Sequence, residues 1–443
     1  MPSRFSLHRV AAATLLCFTA LSLSANPWTA RQAVATALAN NPDAEIARQR
    51  LIAAEAMIEQ ANAAWLPQVS LSGRYTETNS PMMAFGSILN QRAFHFGLDF
   101  NQPGRIDNLN ATGTVGYNLY SGGRATAGKK AAEAGARAAQ EDLRAAHHQL
   151  ANGAIKALLN LRKAREAVGA VEAGVRAYEA SITNARLRFT AGQMLKADLL
   201  SLEVQLAQTR ETLTTARHGA ALAAQAFLFV LGLDPVGAES VDLAPEDPAL
   251  TAMITPEQTD FSGRPELTGL QERLHAAEEM VQVARGARRP TINAFASYQY
   301  DQGWKLNRHG DSWLAGVAVD VNLFDGGQTS GKISQATAEL AQVKQMLRKA
   351  RLGIALEVEQ ARLAHQAALE RLEVSAQTVA QADESAALSR ARFAKGALLT
   401  AELIGAESRL IEARMRRTLA EADERIALAD YHRALGLLPF ATP

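Results

Sequence analysis

Apolar residues recur along this chain with two different periods, and the change of period marks out its elements. From Arg124 to about Arg188, and again from Gln328 to about Arg392, there is no proline and good helix formers dominate. In the second tract Leu340, Val343, Leu347, Ile354, Val358 and Ala361 fall at threes, fours and sevens, the spacing of helices packed side by side. At 1.5 Å per residue such a helix is roughly 100 Å long, several times the width of an ordinary domain. Gly192 or Gly396 follows each tract, and then a second helical stretch, Lys196 to Leu231 or Thr400 to Leu435, which must run back. Two antiparallel helix hairpins are predicted. Shorter helical patterns, Trp28 to Ala64 and Glu266 to Arg285, precede the strands.

Period 2 appears in four places. Gln68, Ser70, Ser72 and Arg74 alternate with Val69, Leu71, Gly73 and Tyr75, and Thr112, Thr114 and Asn118 alternate with Val115, Tyr117 and Leu119. Further on, Ile292, Ala294, Ala296 and Tyr298 alternate with Asn293, Ser297 and Gln299, and Val317, Val319, Val321 and Leu323 with Asp320 and Asn322. Each reads as a strand with water on one face.

The chain is written twice. Asn118 to Gly123 returns as Asn322 to Gly327, Arg186-Leu187-Arg188-Phe189 with Gly192 as Arg390-Ala391-Arg392-Phe393 with Gly396, and Leu231-Gly232-Leu233 as Leu435-Gly436-Leu437, all at an offset of 204. One constant offset over such a distance means two copies of one structural unit. Upstream, Pro67 with Tyr75 matches Pro290 with Tyr298 at an offset of 223, so the first copy holds 19 extra residues between Thr76 and Asn110. That stretch reads as a long exposed loop. Between the copies, Pro235, Pro245, Pro248 and Pro256 mark a non-helical connector.

Aromatic residues make up only 6% of the chain, yet many gather near the strands, among them Tyr75, Tyr117, Tyr298 and Trp313. Rings with polar tips at strand ends suit a bilayer interface; a sandwich of two hairpins with an aromatic core is the alternative. In lipid, an open four-stranded sheet would leave both edges unpaired at several kcal/mol per group, so other chains must complete it. Two chains would just close a filled barrel, whereas three give about 12 strands with room for a lumen.

Composition narrows the function. With 46 Lys+Arg against 45 Asp+Glu over 443 residues the chain is almost neutral, which argues against nucleic acid as a partner. Arg4, His8 and Arg9, the apolar run Val10 to Leu23 and small residues ending at Ala25 follow the order of a secretory signal, with an N-terminal anchor as the other reading. The sole cysteine, Cys17, lies inside that run, and a mature chain without thiols suits an oxidising compartment.

Candidate chemistry fails on inspection. Gly123 to Lys130 resembles a phosphate-binding loop, but Lys130 stands where Ser or Thr would hold magnesium, and the second copy does not keep the spacing. Glu272-x-x-His275 is one half of a di-iron pattern without its second half. Adjacent His147 and His148 point to different sides of a helix, and no His-Glu-x-x-His or Gly-x-Ser-x-Gly occurs. No enzyme activity, cofactor or metal is expected.

The strand entry Leu66-Pro67, the strand exits Leu119 to Gly123 and Leu323 to Gly327, and the Arg-x-Arg-Phe-x-x-Gly turns at Arg186 and Arg390 together resemble the TolC-like outer-membrane efflux proteins over the whole mature chain. The resemblance implies an α+β membrane protein, a homotrimer whose 12-stranded β-barrel in outer-membrane lipid is continuous with a long periplasmic α-helical barrel, two structural repeats per chain. It implies the exit duct of a tripartite efflux pump or type I secretion system in a Gram-negative cell. Its partners would be a periplasmic adaptor and an inner-membrane pump of the RND, ABC or MFS type. The turns at Gly192 and Gly396 would meet the adaptor at the periplasmic tip. Acidic residues there ring the closed entrance; the matching positions are Glu402 and, by repeat symmetry, Asp198, with Glu203 and Glu407 the next acids along. The second family acid is replaced by Gly405, and Ser201 in the first copy, and Leu398 stands at a basic lock position, so that latch does not carry over. A soluble coiled-coil adaptor is the rival, but it has no need of four aromatic-flanked strands.

The resulting division is a signal peptide 1–25, a leading helix 26–65, a first β-hairpin with its external loop 66–121 and a helical hairpin 122–233. A connector 234–262, a second leading helix 263–289, a second β-hairpin 290–325 and a second helical hairpin with the tail 326–443 complete it.

Overall fold

The computed structural model describes residues 27–99, 101–236, 238, 241–245, 247–257 and 259–437. The expected signal segment and Cys17 lie outside them. In chain order the elements are α1 (Ala30–Asn40), α2 (Pro42–Asn62), β1 (Gln68–Thr78), α3 (Pro81–Asn90), β2 (Ile106–Tyr120), α4 (Arg124–Thr190), α5 (Lys196–Val230), the single turn α6 (Pro248–Thr251), α7 (Pro265–Gly286), β3 (Thr291–Gly303), β4 (Arg308–Asp320), α8 (Gln328–Ala394) and α9 (Thr400–Ala434).

The repeat is metrically regular: α4 and α8 each have 67 residues, α5 and α9 each 35. Each long helix starts from a left-handed glycine, Gly123 at φ 85° and Gly327 at φ 90°. The leading segment of the first copy is two helices. Asn41 accepts from the Asp43 N–H at 2.8 Å and Pro42 takes the first helical position, so α2 begins afresh there.

The helices form a wall four abreast. Near the sheet the order is α2, α4, α7, α8; toward the far tip it is α5, α4, α9, α8. Helix α5 therefore continues the line of α2, and α9 that of α7. Both junctions are tight. The Asn41 amide donates to the Val230 carbonyl at 2.8 Å, and Gly232, at φ +72°, passes so close that a Cβ there would lie 2.5 Å from the Asn40 carbonyl oxygen. At the other junction, buried Arg264 donates to Glu357 at 2.7 Å, to Glu266 at 2.6 Å and to the Ala434 carbonyl at 3.2 Å. Burial opposes the charge on Glu266, but the hydrogen bonds from Arg264, the Glu266 backbone N–H and the charges of Arg264 and Arg433 together outweigh it and hold its carboxyl below the usual range.

The wall has no single core. Its largest apolar cluster joins α1, α4 and α5 through Val34, Ile155, Leu158, Phe227 and Leu228, with the Trp28 and Phe227 rings edge to face at 5.6 Å. Full burial of each such side chain contributes about 1.5 to 3 kcal/mol. Elsewhere alanine lines the seams, which lets long helices approach closely.

The four strands make one antiparallel sheet in chain order, β1-β2-β3-β4. Its hairpins are equivalent: Gln68 opposes Gly116 and Thr291 opposes Asp320. The stretch read as a long exposed loop instead contains α3, which packs Ala84 and Ile88 against Ile106 of β2. Proline at its first turn and a run of Met, Ala, Phe, Ile and Leu make that segment a helix with an apolar side to bury.

Candidate functional site: the helix tip and the sheet faces

Both hairpin turns close in the same way. Gly192 at φ +72° and Gly396 at φ +76° occupy the left-handed position after α4 and α8. The next N–H reaches back to a helix carbonyl, Gln193 to Arg188 at 2.8 Å and Ala397 to Arg392 at 2.9 Å. This cap explains the glycine of the repeated motif.

The motif's arginines do different work in the two copies. Arg186 pairs with Glu203 across the first hairpin at 2.8 Å, and Arg390 pairs with Glu407 across the second at 2.6 Å. The Glu407 side chain is 1% exposed, whereas that of Glu203 is 36% exposed. Arg188 crosses between hairpins: it donates to the Phe393 carbonyl at 2.9 Å and lies 5.3 Å from the centre of that ring. Its repeat mate Arg392 is exposed on the outer helix α8.

Asp198 and Glu402 hold equivalent places in the first turns of α5 and α9, which flank α4. Asp198 is half-buried and Glu402 exposed. One Glu402 oxygen accepts from the Leu399 N–H at 3.3 Å, so this acid also caps its helix. Glu203 and Glu407, the next acids along, are committed to their arginines and drop out as free carboxylates.

At the sheet, register separates two faces. Val69, Leu71, Gly73 and Tyr75 share one with Val115, Tyr117, Ala294, Tyr298, Trp313 and Val317; Ser70, Ser72, Thr114, Asn108, Asn110, Ser297 and Asp301 share the other. The four candidate interface aromatics, Tyr75, Tyr117, Tyr298 and Trp313, are thus all on the apolar face. Tyr117 lies at the end joined to the helices, Tyr75 near the opposite end against Trp304 at 5.9 Å, and the opposed pair Tyr298 and Trp313 midway between. The polar face carries a buried network at its far end, where Asn108 and Asn110 donate to Asp301 at 2.6 and 3.0 Å.

A sheet greasy on one side and polar on the other, open at both edges and rooted on a wall of very long helices, is the form of an outer-membrane duct. The outer membrane efflux protein family model matches residues 33–233 and 261–437, omitting only the ends and the connector. The chain belongs to the outer membrane efflux protein family. Protein CyaE of Bordetella pertussis is 26% identical over 421 residues, 93% of this chain and 83% of CyaE. The outer membrane efflux protein BepC of Brucella suis is 23% identical over 336 residues, 72% of this chain and 71% of BepC. Among solved structures, the outer membrane protein VceC from Vibrio cholerae superposes with a TM-score of 0.76 at 19% identity, covering 92% of this chain and 96% of VceC. This efflux protein is an exit channel of the Gram-negative outer membrane whose helices extend into the periplasm.

Sequence reasoning missed three features. The Arg390–Glu407 pair was legible in principle, since both residues recur at the 204 offset with Arg186 and Glu203. The Arg264 junction was not, because its partners Glu357 and Ala434 are far along the chain. The docking of α3 on the polar face depends on Gly303 and Gly310, which lie more than two hundred residues away on the next hairpin.

Proposed function

We propose that this efflux protein works as a closed ring of three copies, a passive duct that an inner-membrane pump drives through a periplasmic adaptor. The observation that carries this reading is repeat symmetry. Beside narrower touches of α5 with α9 and of α3 with β4, first-repeat elements meet second-repeat elements broadly in three places within the chain: β2 with β3, α4 with α7, and α4 with α9. The repeat mates of these contacts would be β4 with β1, α8 with α2, and α8 with α5. None of the three is among the packed pairs of the described residues. The side chains that would make them stand exposed, including Met57, Leu222, Leu352, Leu363 and Val374. Meeting the next copy through these edges repeats the internal contact and leaves no strand edge in lipid. Three copies give 12 strands and 12 helices abreast.

The same symmetry fixes the register between copies. Val115 opposes Ala296 inside the chain; adding 204 to the first and subtracting 223 from the second places Val319 opposite Gly73 of the next copy. Val319→Cys combined with Gly73→Cys should therefore give a disulfide-linked trimer ladder on a non-reducing gel, because opposed strand positions bring Cα atoms within about 5.5 Å. Displacing one partner by a single residue should abolish it. A ladder absent while the detergent complex still weighs three chains would refute this register; a monomeric mass would refute the ring.

At the tip, threefold closure gathers three copies each of Asp198 and Glu402 into a carboxylate ring at the entrance, and the turns at Gly192 and Gly396 face the adaptor. A narrow acidic ring concentrates cations and binds multivalent ones. The reconstituted channel should be cation-selective and blocked by trivalent metal ions from the periplasmic side, with the block lost in Asp198→Ala/Glu402→Ala. Planar-bilayer conductance checks this, and an unchanged block would remove these residues from the constriction. The exported cargo is chosen by the pump, since a wide aqueous duct makes few close contacts with what it carries.

A further inference from the structure

Helix α3 lies on the polar face of the sheet, which is the lumen face if the apolar face meets lipid. It sits at the strand ends farthest from the long helices, so at the outer mouth. Its docking is built rather than incidental. Gln91, fully buried, donates to the Asp107 carbonyl at 2.7 Å and to the Asn108 side chain at 2.9 Å. A Cβ on Gly303 would fall 2.0 Å from the Gln91 side chain, and one on Gly310 would fall 2.1 Å from the Asn90 carbonyl; only glycine leaves room for the helix to seat. Arg92, in the left-handed region at φ 53°, ends the helix and pairs with Asp311 of β4 at 2.8 Å.

The side of α3 turned away from the sheet is apolar. Met82 is 82% exposed, Met83 and Leu89 are also exposed, and Phe96 in the following segment is 98% exposed. Such a surface projecting into a water-filled lumen needs a cover.

We propose that the α3 helices of three copies meet on the threefold axis and close the outer mouth to bulky solutes as an apolar plug, a second gate in series with the periplasmic entrance. The inference rests on the trimeric reading above. Twelve strands about 4.8 Å apart, tilted about 40°, enclose a circle roughly 24 Å across between backbones. Three touching helices, each about 10 Å wide, need roughly 22 Å. Seated on the inner face they fill the mouth, and each presents its Met and Phe side chains to the other two. The first repeat alone supplies the plug, since the second hairpin turns directly from Gly303 to Arg308. Export then requires the plug to part, and an apolar constriction wets and conducts once it widens.

The test uses the full-length protein in intact cells, carrying Ser297→Cys on the lumen face below the plug. A small maleimide and a bulky maleimide-dextran are added outside. With α3 in place the small reagent should label Ser297→Cys and the bulky one should not. Gln91→Ala, or replacement of residues 80–96 by a short Gly-Ser linker, should raise bulky labelling several-fold. Equal bulky labelling with α3 present, or exclusion that persists in both altered forms, would overturn the plug. The mass of the same protein in detergent is measured alongside: a trimer with an open mouth rejects only this inference, whereas any other mass rejects the ring on which it rests.

Discussion

Gly122→Ala is expected to abolish assembly of the channel in the outer membrane. Gly122 has φ +70°, and a Cβ there would lie 2.5 Å from the Gly286 carbonyl oxygen and 3.1 Å from the Arg289 Cβ. The left-handed backbone alone costs a non-glycine residue about 1 to 2 kcal/mol. The clash comes on top, against backbone at the place where the strand β2 turns into α4 beside the end of α7, so neither side can yield. The repeat mate Gly326, at φ +65°, would have nothing within 4 Å of an added Cβ inside one chain. In the proposed ring, Ala63 of the next copy would stand where Gly286 stands for Gly122. Gly326→Ala should therefore be as damaging as Gly122→Ala, although a single chain gives it open space. The yield of trimer extracted from outer membranes measures both. Normal assembly of Gly326→Ala would show that the ring does not close through this contact.

Arg390→Ala is expected to loosen the periplasmic tip far more than Arg186→Ala, although the two arginines are repeat mates in one motif. Removing Arg390 leaves Glu407 buried and unpaired, which costs roughly 3 kcal/mol. Removing Arg186 leaves Glu203 in contact with water, worth about 0 to 1 kcal/mol. Amide hydrogen exchange along residues 386–410 should speed up about a hundredfold in the first variant and change little at the equivalent residues in the second. Adding Glu407→Leu to Arg390→Ala should recover most of the protection, because an apolar side chain suits the site the carboxylate occupied. Equal exchange in both arginine variants would mean that the burial of Glu407 has no energetic consequence.

Much of the architecture was legible in the sequence because it is set by near neighbours. Alternation along Gln68 to Tyr75 assigns each strand residue to a face before any partner is known. The absence of proline across Arg124 to Arg188 allows a helix of that length, and glycine at 192 and 396 marks where a left-handed cap must end it. The candidate entrance acids were found through motif position, and the structure places them at matching first turns without bringing them together in one chain. The loop between Thr76 and Asn110 was misread because its Asn, Gly, Pro and Phe content signals irregular backbone, while the apolar side of α3 has meaning only against Ile106, Gly303 and Gly310.

By itself the sequence determined the twofold repeat, the length of the helices, the two faces of the strands and the position of the turns, since each is written in spacings of two to seven residues or in a constant offset. Only the tertiary structure decided which arginine of a repeated pair guards a buried carboxylate, where the 19-residue insertion goes, and which edges stay open. Those depend on contacts between residues about two hundred positions apart, in which identical motifs meet different neighbours: the inner edge of each repeat finds its mate in the same chain, and the outer edge finds none there among the described residues.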